Sequence, residues 1–286
     1  MIAQCKGKDI DNVPASRLIK DGWLATVKYD GNYVQIVKSG TDVTVWTSGG
    51  KPYKCEDLDE FFLNSVEDFI IECEYIGNTD GRLGSRGQCT TTTYRVNTEK
   101  GIPNPTSGRY KAFDILSYNG RTLTGTYPNR MAFLRNLELP SNIEVVCVYG
   151  LDEPFTIEQA KTLASCFIKD GWEGMYIKHI SHTQEAGKRV NTAIKIKGRR
   201  TADLLCTGVE DGTGKYLGLI GSLELQDKSG RIVNVGSGLN DYQRALSPNE
   251  FIGKVIEIEY EQILDTYIQP TFIRVREDKT SEEIDR

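Results

Sequence analysis

The run Val27-Lys28-Tyr29-Asp30-Gly31 sets an amine two residues from a carboxylate, with a glycine next to it. A lysine amine is a nucleophile once it is neutral, but it ordinarily holds its proton up to a pKa of ~10.4. Burial beside other cations, or a nearby metal ion, favours the neutral form. Glycine lets the backbone approach a ligand closely. Further groups follow in order: Glu72-Cys73-Glu74, Phe113-Asp114, Glu173-Gly174 through Lys178, Lys195-Ile196-Lys197, and Arg274 to Lys279. Alternate residues of a strand share a face, so Lys195 and Lys197 point together while Ile194 and Ile196 pack behind. Carboxylates with clustered cations suit transfer of a phosphoryl-type group, where the protein positions the reactants and neutralises charge. Taken singly, each group has an ordinary reading: a solvent lysine before an Asp-Gly turn, surface acids, a core phenylalanine, an edge-strand lysine pair, a charged tail.

Strands must carry most of these groups. Trp23 to Val37 alternates apolar and polar residues around Lys28, and Asp42 to Trp46 pairs with it across the Ser39-Gly40 turn. Phe69 to Ile76 reads as a strand with its acids on one face. Helices are expected over Asn129 to Leu137, after Pro128, and over Thr156 to Lys169, with Thr156 as N-cap. A long polar stretch rich in Gly, Thr and Arg precedes Tyr110, and loops of that length inside a domain are often functional. A boundary is expected near Lys197-Gly198-Arg199-Arg200-Thr201. Beyond it, short strands over Leu204 to Glu210, Gly218 to Gln226, Arg231 to Val235 and Val255 to Gln262 suit a small antiparallel barrel. The expected fold class is α+β: an antiparallel-sheet domain over 1–198, then a small all-β domain over 199–286.

The 286 residues suit one large or two modest domains, with 38% hydrophobic and 26% charged residues. No apolar run reaches the ~20 residues of a membrane helix, and the N-terminus lacks a signal peptide's apolar core, so a cytoplasmic location is expected. The seven cysteines form no CxxC pair, which suits free thiols in a reducing compartment. His179 and His182 read as incidental residues that could share a helical face, not as a metal site. A net charge of −5 leaves room for local basic surface. Residues 77–111 carry a balance of +4 and residues 187–200 a balance of +6, which points to a phosphate-facing groove or to solvated loops.

The motif series resembles the ATP-dependent DNA ligases of the covalent nucleotidyltransferase superfamily, over roughly residues 20 to 280. It is most similar to the minimal ligases of bacteriophages and some bacteria, with no DNA-binding domain before residue 20. The resemblance implies a nucleotidyltransferase (adenylation) domain followed by an OB-fold domain. It implies that Lys28 attacks the α-phosphorus of ATP to give a lysyl-adenylate. Asp30 and Gly31 would shape the turn at the nucleotide, with Asp30 binding ribose or orienting the lysine, and Glu74 and Glu173 would contact ribose and Mg²⁺ or another divalent cation. Phe113 would stack on adenine, and Lys195 and Lys197 would reach the α-phosphate. Arg276 and Lys279 would engage the β- and γ-phosphates, on a lobe that closes over ATP and swings away for DNA. Thr26 and Lys178 complete the implied nucleotide pocket. Arg82, Arg86, Arg95, Lys188, Arg199 and Arg200 are the implied DNA contacts.

The implied substrate is nicked double-stranded DNA, handled by a monomer in the cytoplasm of a bacterial cell or phage-infected host. Gly236 to Arg244 resembles a ligase stretch more than one from a capping enzyme. An mRNA-capping-type guanylyltransferase and a non-catalytic nucleic-acid-binding relative stand as alternatives, and an RNA ligase fits less well. Two positions depart from the family pattern: Tyr33 and Gly49 stand where many relatives carry arginine, and Lys51 or Arg82 could supply the missing charge.

Overall fold

The Trp23–Val37 alternation does not form one strand: Tyr29-Asp30-Gly31 cuts it in two, and the halves enter different sheets. A computed structural model describes residues 2–53, 58, 67–86, 108–263 and 265–285. The chain divides into two units, residues 1–197 and residues 198–286. Strands of the first unit are β1 (Lys6–Asp9), β2 (Trp23–Lys28), β3 (Asn32–Ser39), β4 (Asp42–Thr47), β5 (Pro52–Tyr53), β6 (Phe69–Gly77), β7 (Arg109–Tyr118), β8 (Arg121–Thr122), β9 (Ile143–Val145), β10 (Gly174–His179) and β11 (Arg189–Lys197).

The smaller sheet runs β1-β11-β10-β2, with β1 parallel to β11 and the other pairs antiparallel. The larger runs β5-β4-β3-β6-β7-β8, with β9 parallel beside β7. The expected β3–β4 hairpin across Ser39-Gly40 forms, because the turn glycine takes a positive φ of 59°. Val34, Ile36, Val45, Ile71 and Ile115 make the core on the larger sheet. Fully burying each such side chain contributes roughly 1.5–3 kcal/mol.

Helix α1 (Tyr127–Arg135) begins two residues earlier than expected. Pro128 lies in its first turn, where a missing N–H leaves no bond unmade. Helix α2 (Ile157–Lys169) is fixed by a capping box: the Gln159 amide donates to Thr156 Oγ1 at 3.2 Å, and the Thr156 amide donates to Gln159 Oε1 at 2.8 Å. Its buried face, Ile157, Ala160 and Ala164, packs on Trp23, Ala25, Met175, Ile177, Ile194 and Ile196 of the smaller sheet. His179 and His182 do not share a helical face; the first ends β10 and the second follows in a turn.

The second unit holds β12 (Arg200–Asp211), β13 (Ile220–Gln226), β14 (Ile232–Val235), β15 (Val255–Tyr260), β16 (Gln262–Ile263), β17 (Tyr267–Ile268) and β18 (Thr271–Val275). Five of them form an antiparallel sheet ordered β14-β13-β12-β15-β18, around Leu204, Leu223, Leu225, Val235, Ile256 and Phe272. The buried Arg244, at the end of the short helix α3 (Asp241–Arg244), staples this unit together. Its guanidinium donates to the carbonyls of Ile220 (2.9 Å), Gly221 (2.6 Å) and Gly236.

Candidate active site

Residues of the first unit enclose a cavity of about 410 Å³. Lys28, the last residue of β2, lies on its wall opposite Gly174 of β10. Glu173 is 5% exposed; one carboxylate oxygen pairs with Lys28 Nζ and the other lies 3.3 Å from Lys197 Nζ. The Glu173 carboxyl therefore sits below its ordinary range: burial pushes it up, but Lys28 and Lys197 outweigh that. Gly174 pairs with Lys28 on one side and Lys197 on the other, at φ +148°. A Cβ there would run into the Ile196 carbonyl, so this glycine is what brings the three charged groups together.

Lys195 and Lys197 lie on one face of β11, and Ile194 and Ile196 are buried behind them. Lys195 lines the cavity. Burial, then the neighbouring Lys28, Lys197 and Arg189, lowers its pKa. Thr26 also lines the cavity, its hydroxyl donating to the Tyr176 carbonyl at 3.1 Å.

The turn after Lys28 is braced from beyond β6. The Asp30 amide donates to the Gly81 carbonyl at 2.9 Å, and the Gly84 amide donates to Asp30 Oδ2 at 2.8 Å. Asp30 is 2% exposed, and these bonds make it a brace of the turn. Gly31 donates its amide to Glu74 Oε1 at 3.2 Å and packs so closely that a Cβ would fall on the Tyr75 carbonyl.

Glu72 and Glu74, alternate residues of β6, both line the cavity. Burial pushes each carboxyl up to about 7; Asp114 adds to the rise at Glu72, while Lys28 and Arg86 oppose it at Glu74. Among the described residues no group of three or more acidic, His or Cys side chains could hold a metal ion. Mg²⁺ is usually held by one or two carboxylates plus substrate phosphates, and Glu74 suits that role. Glu173, also expected to contact a metal, pairs here with Lys28 and Lys197.

Phe113 is on the cavity wall, its ring 6.2 Å from that of Tyr33. Behind it, the fully buried Asp114 accepts from Arg130 Nε (2.8 Å) and Nη2 (3.0 Å), Lys178 Nζ (2.7 Å) and Gln184 Nε2 (2.8 Å). Burial alone would raise the Asp114 carboxyl, yet Lys178 and Arg130 hold it well below the usual carboxylate range. Lys178 lines the cavity with its ammonium paired to Asp114 and 4.2 Å from the Tyr127 ring centroid. Sequence reasoning missed Arg130 and the N-terminal strand, whose Cys5, Lys6 and Gly7 line the cavity. Arg130 falls among apolar helix neighbours, which was its only local signal.

The DNA-contact set scatters. Arg82 donates to the Asp170 carbonyl, pairs with Asp80 at 3.2 Å and lies 4.8 Å from the Trp172 ring centroid. Lys188 is exposed and pairs with Glu185 at 2.9 Å, Arg199 pairs with Glu259, and Arg200 is exposed at the start of β12. Arg95 lies outside the described residues. Of the others only Arg86 lines the cavity, and Arg189, not anticipated, lines it too. In the second unit Arg276 Nη1 and Lys279 Nζ meet Asp203 Oδ2 at 2.9 and 2.6 Å.

A family model described as "ATP dependent DNA ligase domain" matches residues 1–197, and one described as "DNA ligase OB-like domain" matches residues 211–276. A DNA ligase of Methanothermobacter thermautotrophicus is 28% identical over 229 residues, 75% of this chain and 41% of that protein. A probable DNA ligase of Beutenbergia cavernae is 28% identical over 293 residues, 91% of this chain and 56% of that protein. The chain thus spans about half the length of the curated relatives it matches. A Lig E DNA ligase structure, described as DNA binding with a minimal scaffold, superposes with a TM-score of 0.73 at 18% identity, covering 96% of this chain and all of that one. The ATP complex of the bacteriophage T7 ligase gives 0.53 at 16% identity, covering 96% and 98%. These likenesses establish the fold: an adenylation-type domain and an OB-fold domain.

Proposed function

This chain belongs to the ATP-dependent DNA ligase family, and from that premise we propose that it seals nicks in duplex DNA through a lysyl-AMP intermediate. The observation that carries the reading is Lys28, which lines the cavity and is held by Glu173 next to Lys197, with Lys195 and Glu74 also lining that cavity. In the first step Lys28 Nζ attacks the α-phosphorus of ATP; a P–N bond forms and the bond to pyrophosphate breaks. Glu173 aims the lysine. Lys195 and Lys197 place positive charge where it builds up on the α-phosphate oxygens. Phe113 and Lys178 line the cavity where the base packs, and Asp114, itself held by Arg130, fixes Lys178 from behind. Glu74 would be the residue to hold a divalent cation such as Mg²⁺, which would supply further neutralisation of that charge.

In the second step an oxygen of the DNA 5′-phosphate attacks the AMP phosphorus, and the P–N bond breaks to return Lys28. In the third the 3′-hydroxyl attacks the activated 5′-phosphate and AMP leaves. Arg276 and Lys279 of the OB unit orient pyrophosphate in the first step, with Asp203 holding both cations ready between turnovers. The protein works as a monomer on nicked duplex DNA, in the cytoplasm.

The test is nucleotide labelling: purified protein, Mg²⁺ and α-labelled ATP or GTP, then a denaturing gel. Acid-labile label from ATP alone, lost in Lys28→Ala, is expected. Label from GTP would transfer the chain to guanylyltransferase chemistry, and label from neither would end the catalytic reading.

A further inference from the structure

Lys28 and Glu173 meet where their strands stop pairing. The β2–β10 ladder runs from Trp23 opposite His179 to Lys28 opposite Gly174 and ends there. Tyr29 is the next residue after Lys28, and Trp172 is the residue before Glu173. A side-chain contact carries on where the ladder stops: the rings of Tyr29 and Trp172 lie 5.6 Å apart at 84°, edge to face. Each ring therefore belongs to the chain neighbour of one member of the Lys28–Glu173 pair.

Further contacts seat both rings. The Trp172 amide donates to the Phe167 carbonyl at 3.0 Å, tying it to the last turn of α2, and its Nε1 donates to Asp170 Oδ2 at 3.3 Å. The Arg82 guanidinium stacks on the same ring, 4.8 Å from its centroid. Tyr29 lines the cavity, and Lys111 Nζ lies 5.3 Å from its ring centroid. A Cβ on Gly81 would fall 2.7 Å from Tyr29 Cδ1, so a bare glycine is what lets that segment press on the ring. Trp172 is thus anchored to a helix end and Tyr29 to the segment beyond β6, and their contact couples the two anchors.

We infer that Tyr29 and Trp172 are positioning residues for formation of the lysyl-adenylate. As one aromatic bracket they fix the chain beside Lys28 and beside Glu173, and so hold the amine in line with the α-phosphorus. The inference rests on the ligase reading above. A reacting group displaced by about 1 Å can lose on the order of a hundredfold in rate, so a contact this near the nucleophile has leverage on that one step. Rings that served packing alone would affect every step alike.

Two rates separate these roles: labelling of Lys28 by ATP, and sealing of a nick that already carries AMP, a step in which Lys28 is not a reactant. Trp172→Ala is expected to slow labelling at saturating ATP by about tenfold or more. The KM for ATP and the sealing rate should each stay within about threefold of the parent. Trp172→Phe keeps a ring in place and should recover most of the labelling rate. Tyr29→Leu should match Trp172→Ala, and the double variant should lose little more than either, because the rings act as a pair. Trp172→Leu, which keeps apolar volume, takes the place of Trp172→Ala if the latter does not fold. Equal losses in labelling and sealing would reduce the bracket to core packing and overturn the proposal. So would a labelling change under about threefold, no recovery in Trp172→Phe, or fully additive single effects. A parent protein that takes no label fails the ligase reading itself, an outcome distinct from an active parent indifferent to these rings.

Discussion

Replacing Asp114 by asparagine removes one charge and keeps the shape, and the structure says what that should cost. The carboxylate is fully buried and is the shared counter-ion of Arg130 and Lys178, themselves 1% and 5% exposed. Removing one partner of a buried ionic cluster leaves uncompensated charge in a poor solvent, at roughly 3–5 kcal/mol. An amide keeps part of the hydrogen bonding, so the lower half of that range is expected. For a unit of about 200 residues, 3–5 kcal/mol lowers the melting temperature by roughly 6–20 °C. Urea unfolding followed by tryptophan fluorescence is the assay. Trp23, Trp46 and Trp172 are the chain's three tryptophans and all fall in residues 1–197, so the signal reports the first unit alone. Asp114 is held below its ordinary pKa, so its contribution is present above the unfolded carboxylate value and fades as pH falls below it. The parent should therefore lose its advantage over Asp114→Asn in acid. Adding Lys178→Met to Asp114→Asn removes one stranded cation and should regain at least about 1 kcal/mol. A loss below about 1 kcal/mol at pH 7, the scale of an exposed pair, would refute the argument that this cluster is a buried keystone.

Glu72 is the opposite case. Burial raises its carboxyl to about 7, so its stabilising effect is full below the unfolded value and is lost as pH climbs from about 4.5 to 7. Glu72→Gln should flatten that limb of the first unit's stability curve, by at most about 3 kcal/mol. Identical slopes for parent and variant between pH 5 and 8 would discard the assignment. In the second unit, Arg244→Lys keeps the charge but cannot reach the Ile220, Gly221 and Gly236 carbonyls together, and should cost roughly 2–3 kcal/mol. Calorimetry must read that change, since the unit has no tryptophan; an unmoved transition would show that the fork is dispensable.

Features set by short-range patterning could be read in the chain itself. The β3–β4 hairpin, the Phe69–Gly77 strand with its two acids, the Thr156 cap and the short strands of the second unit all declare themselves within about ten residues. Of the residues named from the motifs, Thr26, Lys28, Gly31, Glu74, Phe113, Lys178 and Lys195 line the cavity, each carrying a distinctive chemical type or a fixed place in its motif. What escaped was long-range. Alternation runs through Tyr29-Asp30-Gly31 with no sign that one half will pair with β10 and the other with β6, since the choice depends on partners far along the chain. Asp30 looked like a ligand and is a brace, because the Gly84 amide that occupies it lies 54 residues away. Arg130 had only its apolar helix neighbours as a local signal, and the tertiary fold alone brings Asp114 and Lys178 to it.

The 145 residues between Lys28 and Glu173 also carry a message about timing during synthesis. Lys-x-Asp-Gly leaves the ribosome before its β10 partner, its Glu173 clamp and Lys195, which are translated last in the first unit. At ~5–20 residues per second that gap lasts on the order of ten seconds or more. Throughout it the nascent lysine lacks both its β10 neighbour and the Glu173 carboxylate. If the proposed lysyl-AMP chemistry holds, a half-made chain has no complete site for it, and the site assembles only when β10 and β11 dock.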